Sequence, residues 1–305
     1  MKTIWITGGS GYLASYLVRV LKNHRNNGLK IITISRTPPD YSVDDHYSLD
    51  LSEPGVIEVL STLPPPRIVF HLATALPPSP PDQMWSVNLG GTVHLFKVLK
   101  QFTSLNQEIT FLNVGSAAEY SGFDTLPIVE NSSVGGTGIY GETKWAQSEL
   151  ALRLGSRFSI KVIVARPFNI IGPGLSDKYI AGTICKQILD NSLTEISLGN
   201  LDVKRDFVDV RDVARAIYVL AFKGKTGECY NICSAKSTSV RELYKLFVML
   251  SGNDKPVVTE KHRKRGDEIF EIVGSFEKIK RDTGWMPEIS LKQSVHDMLH
   301  YRPYL

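Results

Sequence analysis

Several features that decide a protein's class are scarce in this 305-residue sequence. It has three cysteines, Cys185, Cys229 and Cys233, with no metal-ligand spacing, so no metal is expected. A set this odd and sparse excludes a disulfide framework and points to a reducing compartment. Cys229 and Cys233 flank Tyr230-Asn231-Ile232 and are expected to be packed core thiols. Long apolar runs are missing too. None approaches the roughly 18 to 20 residues that a membrane span requires, so no membrane partner is expected. The first residues run straight into a strand, Thr3–Thr7, and leave no room for a signal peptide, which makes the cytoplasm the expected location. Charge of one sign is not in excess either. With 35 basic and 31 acidic residues the net charge is +4, too mild and evenly spread for a nucleic-acid partner but suited to an anionic small substrate. The densest basic run, Lys261-His262-Arg263-Lys264-Arg265, reads equally as a solvated loop or a phosphate contact.

What is present is an alternation of short apolar runs with helical patterns. Thr3–Thr7 reads as a strand, Leu13, Leu17, Val20 and Leu21 recur at helical spacing, and Lys30–Ser35 reads as a second strand. Arg67–Leu72, Ile109–Val114 and Lys161–Arg166 continue the strands, with helices over Val87–Phe102 and Tyr140–Leu154 between them. Solid runs such as Ile68-Val69-Phe70 indicate strands covered on both faces. The expected fold is therefore α/β, a doubly wound parallel sheet of the Rossmann type. Beyond the break at Ile170-Ile171-Gly172-Pro173-Gly174 the rhythm loosens. Residues 1–174 are read as the dinucleotide-binding domain and residues 175–305 as a smaller α/β substrate lobe. A segment near residues 205–223, a strand feeding a helix, returns to the first domain. Cys229–Ile232 and Pro256–Thr259 are read as short strands of the second.

Thr7-Gly8-Gly9-Ser10-Gly11-Tyr12-Leu13-Ala14 stands where the first strand turns into the first helix. Glycines there let the backbone turn tightly and approach a pyrophosphate seated on the helix N-terminus. At the end of the second strand an acidic residue would favour NAD. This chain has Ser35-Arg36, a hydroxyl and a guanidinium suited to a 2′-phosphate, so NADP(H) is the expected cofactor. Asp50-Leu51 would lie at the adenine edge. Tyr140-Gly141-Glu142-Thr143-Lys144 places a tyrosine and a lysine at i and i+4 on one helix face. A nearby ammonium favours the phenolate and would lower a tyrosine pKa from its usual value of about 10. Ser116 follows the strand Ile109–Val114, at the carboxyl edge where such sheets bind ligands. Arg166-Pro167-Phe168-Asn169 ends the next strand and can present backbone groups to a nicotinamide and the Asn169 amide to a substrate.

Thr7–Ala14, Leu72-Ala73, Asn88, Ser116, Tyr140–Lys144 and Arg166–Asn169 together resemble the extended short-chain dehydrogenase/reductases that act on nucleotide sugars, over essentially the whole chain. The blocks Arg166–Gly174, Arg205–Val213 and Thr283-Gly284-Trp285-Met286-Pro287 are similar to the GDP-4-keto-6-deoxy-D-mannose reductase branch, which forms GDP-D-rhamnose. They are less similar to GDP-mannose dehydratases and CDP- or dTDP-sugar reductases. The resemblance implies hydride transfer to a 4-keto carbon. Tyr140 would protonate the alkoxide, Ser116 would bind the carbonyl oxygen, and Lys144 would orient the ribose and tune Tyr140. It further implies an NADP(H) site lined by Gly8, Gly11, Tyr12, Leu13, Arg36, Asp50, Leu51, Leu72, Ala73, Asn88, Tyr140, Lys144 and Pro167. A nucleotide-diphosphate sugar, carried on GDP in the first instance, would meet Ser116, Asn169, Lys178, Arg205 and Arg265. For the last of these, a gapless match puts Lys264 at the family's arginine, and Arg265 is preferred for bidentate phosphate geometry. A homodimer through the helices carrying Asn88–Phe102 and Tyr140–Leu154 is also implied.

One departure narrows the chemistry. The family's 4,6-dehydratases carry a carboxylate two residues before the tyrosine that ends the Ser116–Tyr120 motif. Here that position is Ala118, preceded by Ala117, and Glu119 on a strand end would point the other way. A reductase or an epimerase is expected rather than a dehydratase. The competing readings are a nucleotide-sugar 4-epimerase with tightly held NAD, a reductase of a CDP-, dTDP- or GDP-heptose-linked substrate, and a non-catalytic dinucleotide sensor. His71, His94 and Trp285 are expected to be structural.

Overall fold

The computed structural model describes residues 2–24, 28–123, 125–259 and 269–301. The chain opens with β1 (Lys2–Thr7), α1 (Tyr12–Asn23), β2 (Leu29–Ser35), β3 (Asp45–Ser48), α2 (Val56–Ser61) and β4 (Pro66–His71). It continues through α3 (Pro81–Trp85), a π-helical turn at Ser86–Gly90, α4 (Gly91–Thr103), β5 (Thr110–Val114), a 3-10 turn at Ala117–Glu119, α5 (Gly138–Phe158) and β6 (Lys161–Pro167). Then follow β7 (Asn169–Ile171), α6 (Ile180–Leu189), β8 (Ile196–Leu198), β9 (Lys204–Asp209), α7 (Val210–Lys223) and β10 (Cys229–Ile232). The last elements are β11 (Ser237–Ser239), α8 (Val240–Ser251), β12 (Val257–Thr259), β13 (Glu271–Ile272), α9 (Glu277–Thr283) and α10 (Leu291–Leu299). No helix among the described residues is long and apolar enough to cross a membrane.

Seven strands form one parallel sheet in the order β3-β2-β1-β4-β5-β6-β10. The order reverses between β1 and β4, which opens a crevice beyond their carboxyl ends. Both faces are covered, as the solid apolar strands require. On one side Ile4, Ile6 and Phe70 pack with Leu17 and Leu21 of α1 and Val213, Ile217 and Leu220 of α7. On the other Trp5, Val69 and Phe111 pack with Leu95, Phe96 and Leu99 of α4 and Ala151 of α5. A third apolar cluster joins α6, α8 and α10, with Ile184, Phe247 and Val295 at its centre.

Three sequence readings change. The strand Cys229–Ile232, read as part of the smaller lobe, is the seventh strand of the central sheet, paired with β6 through Cys229 opposite Val164 to Ile232 opposite Pro167. In the segment near residues 205–223, α7 packs on the central sheet, whereas β9 pairs with β7, β11 and β13 outside it. A four-residue apolar run states that it is buried, not which sheet buries it. The helix expected over Val87–Phe102 is also interrupted at its start by the π turn that carries Asn88. Trp285, fully packed, lies in the core beside α7, and its indole Nε1 donates to Asp212 O at 3.2 Å.

Because Ile232 is completely buried in the central sheet, Ile232→Ala is expected to cost about 2–5 kcal/mol in urea unfolding. A loss well under about 1 kcal/mol would make β10 a peripheral strand.

Candidate active site

The glycine loop joins the ends of β1 and β4. Gly8 has φ of +68°, and a Cβ there would lie 2.8 Å from the Ala73 amide nitrogen, so only glycine lets the two strand ends close up. The Leu72 amide donates to Thr7 O at 3.2 Å and the Ala73 amide to Thr7 Oγ1 at 3.2 Å, which holds the residues after β4 against the loop. Gly11 is the N-cap of α1, with no side-chain cap and no acidic residue in the first turn. The first-turn N–H groups, including those of Tyr12 and Leu13, are therefore left for an external anion at the positive end of the helix dipole. This arrangement fits a dinucleotide pyrophosphate. The Tyr12 side chain turns away toward Gly172 and Asp209, so Tyr12 offers this site its backbone.

The rim beyond β2 is built of hydroxyls. Ser35 Oγ accepts from the Ser10 amide at 3.2 Å and donates to Thr37 O at 2.9 Å, and Thr37 Oγ1 donates to Ser10 Oγ at 3.2 Å. Arg36 stands exposed on the same rim. Asp50 accepts from the Ser52 amide and hydroxyl at 2.9 and 2.6 Å. Burial opposes its ionisation, but these bonds and the Arg36 charge bring its carboxyl below the ordinary range. Leu51 is buried, and its carbonyl meets His94 Nδ1 at 2.8 Å.

Ser116, Tyr140 and Lys144 converge past the end of β5. Ser116 caps the 3-10 turn: its Oγ accepts from the Ala118 amide at 3.1 Å, and its own amide donates to Glu119 Oε1 at 2.9 Å. The first turn of α5 presses on this turn so closely that a Cβ at Gly141 would collide with Ala118 O. That contact brings Tyr140 up beside Ser116 and Thr74. Burial pushes the Tyr140 phenol above its usual pKa, and the neighbouring Ser116 and Thr74 hydroxyls only partly offset it.

Lys144 differs from expectation. Its Nζ is buried and donates to Val114 O at 2.8 Å and to Gln147 Oε1, so in this structure the ammonium is turned toward β5. A buried cation needs close acceptors, and these are the nearest. Burial lowers Lys144 to about 8, with Glu119 pulling it up.

Other expectations also change. Glu119 lies on a 3-10 turn rather than a strand end, and its carboxylate folds back under Ser116. There it accepts from Arg166 Nε at 2.7 Å and Ser148 Oγ at 3.0 Å. Burial raises this carboxyl, while Arg166, Lys144 and the Ser116 amide pull it down. The Asn88 amide was expected to bind cofactor, but its groups are engaged within the protein. Oδ1 accepts from the Ala75 amide at 2.9 Å and Thr74 Oγ1 at 3.1 Å, and Nδ2 donates to Thr143 Oγ1 at 2.9 Å. Asn88 thus ties the Thr74–Ala75 loop to α5. Thr74, Gln147 and the Glu119–Arg166 pair escaped the sequence reading. Of these only Gln147, one turn beyond Lys144, had a signal in its spacing.

On the substrate side, Asn169 opens β7 opposite Phe207, Pro167 is buried at the end of β6, and Lys178 is exposed just before α6. Arg205 lies on β9, where its guanidinium donates to Lys204 O at 2.8 Å and to Ile269 O at 3.0 Å. Lys264 and Arg265 fall outside the described residues.

Residues 4–233 match the NAD dependent epimerase/dehydratase family. The chain belongs to that family. It is 32% identical to the GDP-6-deoxy-D-mannose reductase of Pseudomonas aeruginosa, across 97% of this chain and 95% of that protein. It is 25% identical to a putative UDP-glucose 4-epimerase of Methanocaldococcus jannaschii, across 98% and 97%. Among solved structures, RMD from Pseudomonas aeruginosa complexed with NADPH superposes with a TM-score of 0.81 at 29% identity, covering 98% of both chains. As a member of this family, the protein is an enzyme of the short-chain dehydrogenase/reductase type that uses a nicotinamide dinucleotide.

Removing Glu119 would strand Arg166, which is 3% exposed. Glu119→Ala is expected to destabilise the fold by about 3–5 kcal/mol in chemical denaturation. Retention of full stability would mean that Arg166 finds another anion or water.

Proposed function

We propose that the protein reduces the 4-keto group of a nucleotide-diphosphate 4-keto-6-deoxy sugar with NADPH. The GDP-linked substrate that yields GDP-D-rhamnose comes first, and a GDP-6-deoxy-heptose analogue second. The observation that carries this reading is the close approach of α5 to the 3-10 turn, which brings Tyr140 beside Ser116 at the carboxyl edge of the sheet, where burial favours the protonated phenol. A proton donor beside a hydroxyl is what a carbonyl oxygen becoming an alkoxide requires. NADPH, when bound, supplies the hydride. Ser116 donates to the carbonyl oxygen, Tyr140 gives up its phenolic proton to that oxygen as charge develops, and Lys144 holds the cofactor ribose and stabilises the phenolate left behind. Arg36, Ser10 and Thr37 would hold the 2′-phosphate, a reading supported by the NADPH complex of the similar Pseudomonas protein. Asn169, Lys178, Arg205 and Arg265 would meet the sugar and its diphosphate. Residues from 175 onward would supply most of that lobe, and a homodimer would form through α4 and α5.

A 4,6-dehydration is disfavoured because Ala117 and Ala118 stand where a carboxylate would be needed and Glu119 is engaged by Arg166. The second reading, a 4-epimerase with retained NAD, is favoured by the likeness to the putative UDP-glucose 4-epimerase and opposed by the absence of an acidic residue at the end of β2.

The test is turnover against 4-keto-6-deoxy sugars on GDP, CDP and dTDP, each with NADPH and NADH. Fast NADPH oxidation with the GDP sugar is expected. No oxidation with any of them, together with tightly bound NAD, would move the epimerase to the front. Tyr140→Phe should lower kcat by about 10²–10⁴-fold with the fold intact, and Arg36→Asp should shift the preference toward NADH. A Tyr140→Phe variant with unchanged kcat would remove Tyr140 from the chemistry.

A further inference from the structure

A sealed group of polar side chains lies behind Lys144, and the proposed chemistry does not touch it. Gln147 on α5, His71 at the end of β4, Thr92 on α4 and Thr7 at the end of β1 are all completely buried. Their hydrogen bonds have a direction. An ammonium only donates, so the Gln147 amide oxygen faces Lys144 Nζ. The amide nitrogen then lies 3.0 Å from His71 Nε2 and 3.1 Å from Thr92 Oγ1. An amide N–H also only donates, so His71 Nε2 accepts and the ring proton sits on Nδ1, which donates to Thr7 Oγ1 at 2.7 Å. Thr92 Oγ1 also lies 3.0 Å from His71 Nε2, so its one proton is shared between that ring nitrogen and Asn88 O, 2.7 Å away. The chain works only with a neutral imidazole, and burial, aided by the Lys144 charge, lowers His71 to about 3.

We propose that Gln147 and His71 are positioning residues: His71 orients the Gln147 amide so that its oxygen holds the Lys144 ammonium charged at the end of β5, with one N–H left for the cofactor ribose. Val114 O and Gln147 Oε1 engage two of the three N–H donors. The same chain ends on Thr7, the residue that opens the glycine loop, so the catalytic helix and the dinucleotide loop are set by one network across β1, β4, α4 and α5. A leucine at position 147 would fill the space but give Lys144 no acceptor. A glutamate would supply an acceptor with a charge.

The charged and titratable groups around Lys144 are few. Glu119 comes from the 3-10 turn, with Arg166 of β6 paired to it, His71 comes from β4, and Tyr140 lies on its own helix. Among the described residues, α4 and the π turn before it bring the neutral Thr92 and Asn88 into the network. Loss of an acceptor disfavours the ammonium, so Gln147→Leu lowers the pH at which Lys144 discharges. Gln147→Glu raises it.

The experiment is the Kd of NADPH, followed by nucleotide fluorescence from about pH 6 to about pH 9, for the unmodified protein, Gln147→Leu and Gln147→Glu. Binding by the unmodified protein should weaken on the alkaline side. Gln147→Leu should move that midpoint down by about one pH unit, a tenfold change in proton affinity, and Gln147→Glu should move it up. A role confined to packing would lower the melting temperature of both variants and leave the midpoints together. Coincident midpoints, or movement of both in the same direction, would overturn the proposal. Should Gln147→Leu fail to fold by circular dichroism, the near-isosteric Gln147→Glu carries the test alone, and an unmoved or lowered midpoint would reject it. The inference rests on the NADPH reading but not on the sugar. NADPH binding with the expected shifts and no turnover of any 4-keto sugar would reject the substrate assignment alone.

Discussion

A lysine ammonium held inside a protein must be surrounded by acceptors, and the site is arranged around that requirement. Lys144 is 2% exposed. Its charge would be far too costly to bury unanswered, so the end of β5 offers it the Val114 carbonyl and α5 offers it Gln147. Reaching the Val114 carbonyl requires α5 to pack close against the end of β5. The contact between Gly141 and the Ala118 carbonyl permits that approach. The same approach brings Tyr140 to Ser116, whose position is set from below by the Glu119–Arg166 pair. The catalytic geometry therefore follows from answering buried charges on two sides of one 3-10 turn.

The parts legible in the sequence are those set by local pattern. Solid apolar strands declared a sheet covered on both faces, and the glycine loop and the Tyr140–Lys144 spacing declared a helix N-terminus and a shared helix face. What stayed hidden depends on contacts distant in the chain. His71 and Gln147 are 76 residues apart, and nothing local to either announces the other. Tyr120 and Asn231, which bond at 2.7 Å beside Arg166, are 111 apart. β10 could be seen as buried but not assigned to a sheet. Asn88 carries a residue type often used on ligands, yet its π-helical turn points the amide at Thr74, Ala75 and Thr143. Glu119 was placed by strand alternation, a rule that lapses where the backbone turns into a 3-10 helix.

The second lobe shows a related device. Asp206 is a buried carboxylate that accepts from the Ser234 amide and hydroxyl at 2.7 and 2.6 Å, the Ala235 amide at 2.9 Å and the Gly274 amide at 3.2 Å. It gathers the loops after β10 and β13 against β9, next to Arg205. The central sheet and the smaller sheet thus meet at a carboxylate satisfied by hydrogen bonds rather than by a cation. Burial raises its pKa, and those bonds oppose the rise. Asn169 and Arg205, two of the residues proposed to meet the substrate, stand on β7 and β9 of this smaller sheet, while Ser116 follows β5 of the larger one and Tyr140 stands on α5. A sugar diphosphate bridging the two would present its keto carbon to the carboxyl edge.

The central claim is a net, one-way reduction at the Tyr140–Ser116 edge. Single turnover with NADPH deuterated at the transferable position of its nicotinamide, followed by mass spectrometry of the sugar, tests it most directly. The account predicts one deuterium at C4 of the 4-keto-6-deoxy sugar for each NADPH consumed, with none transferred by Tyr140→Phe. Interconversion of 4-hydroxy epimers with no net loss of reduced cofactor and no deuterium gained would contradict it.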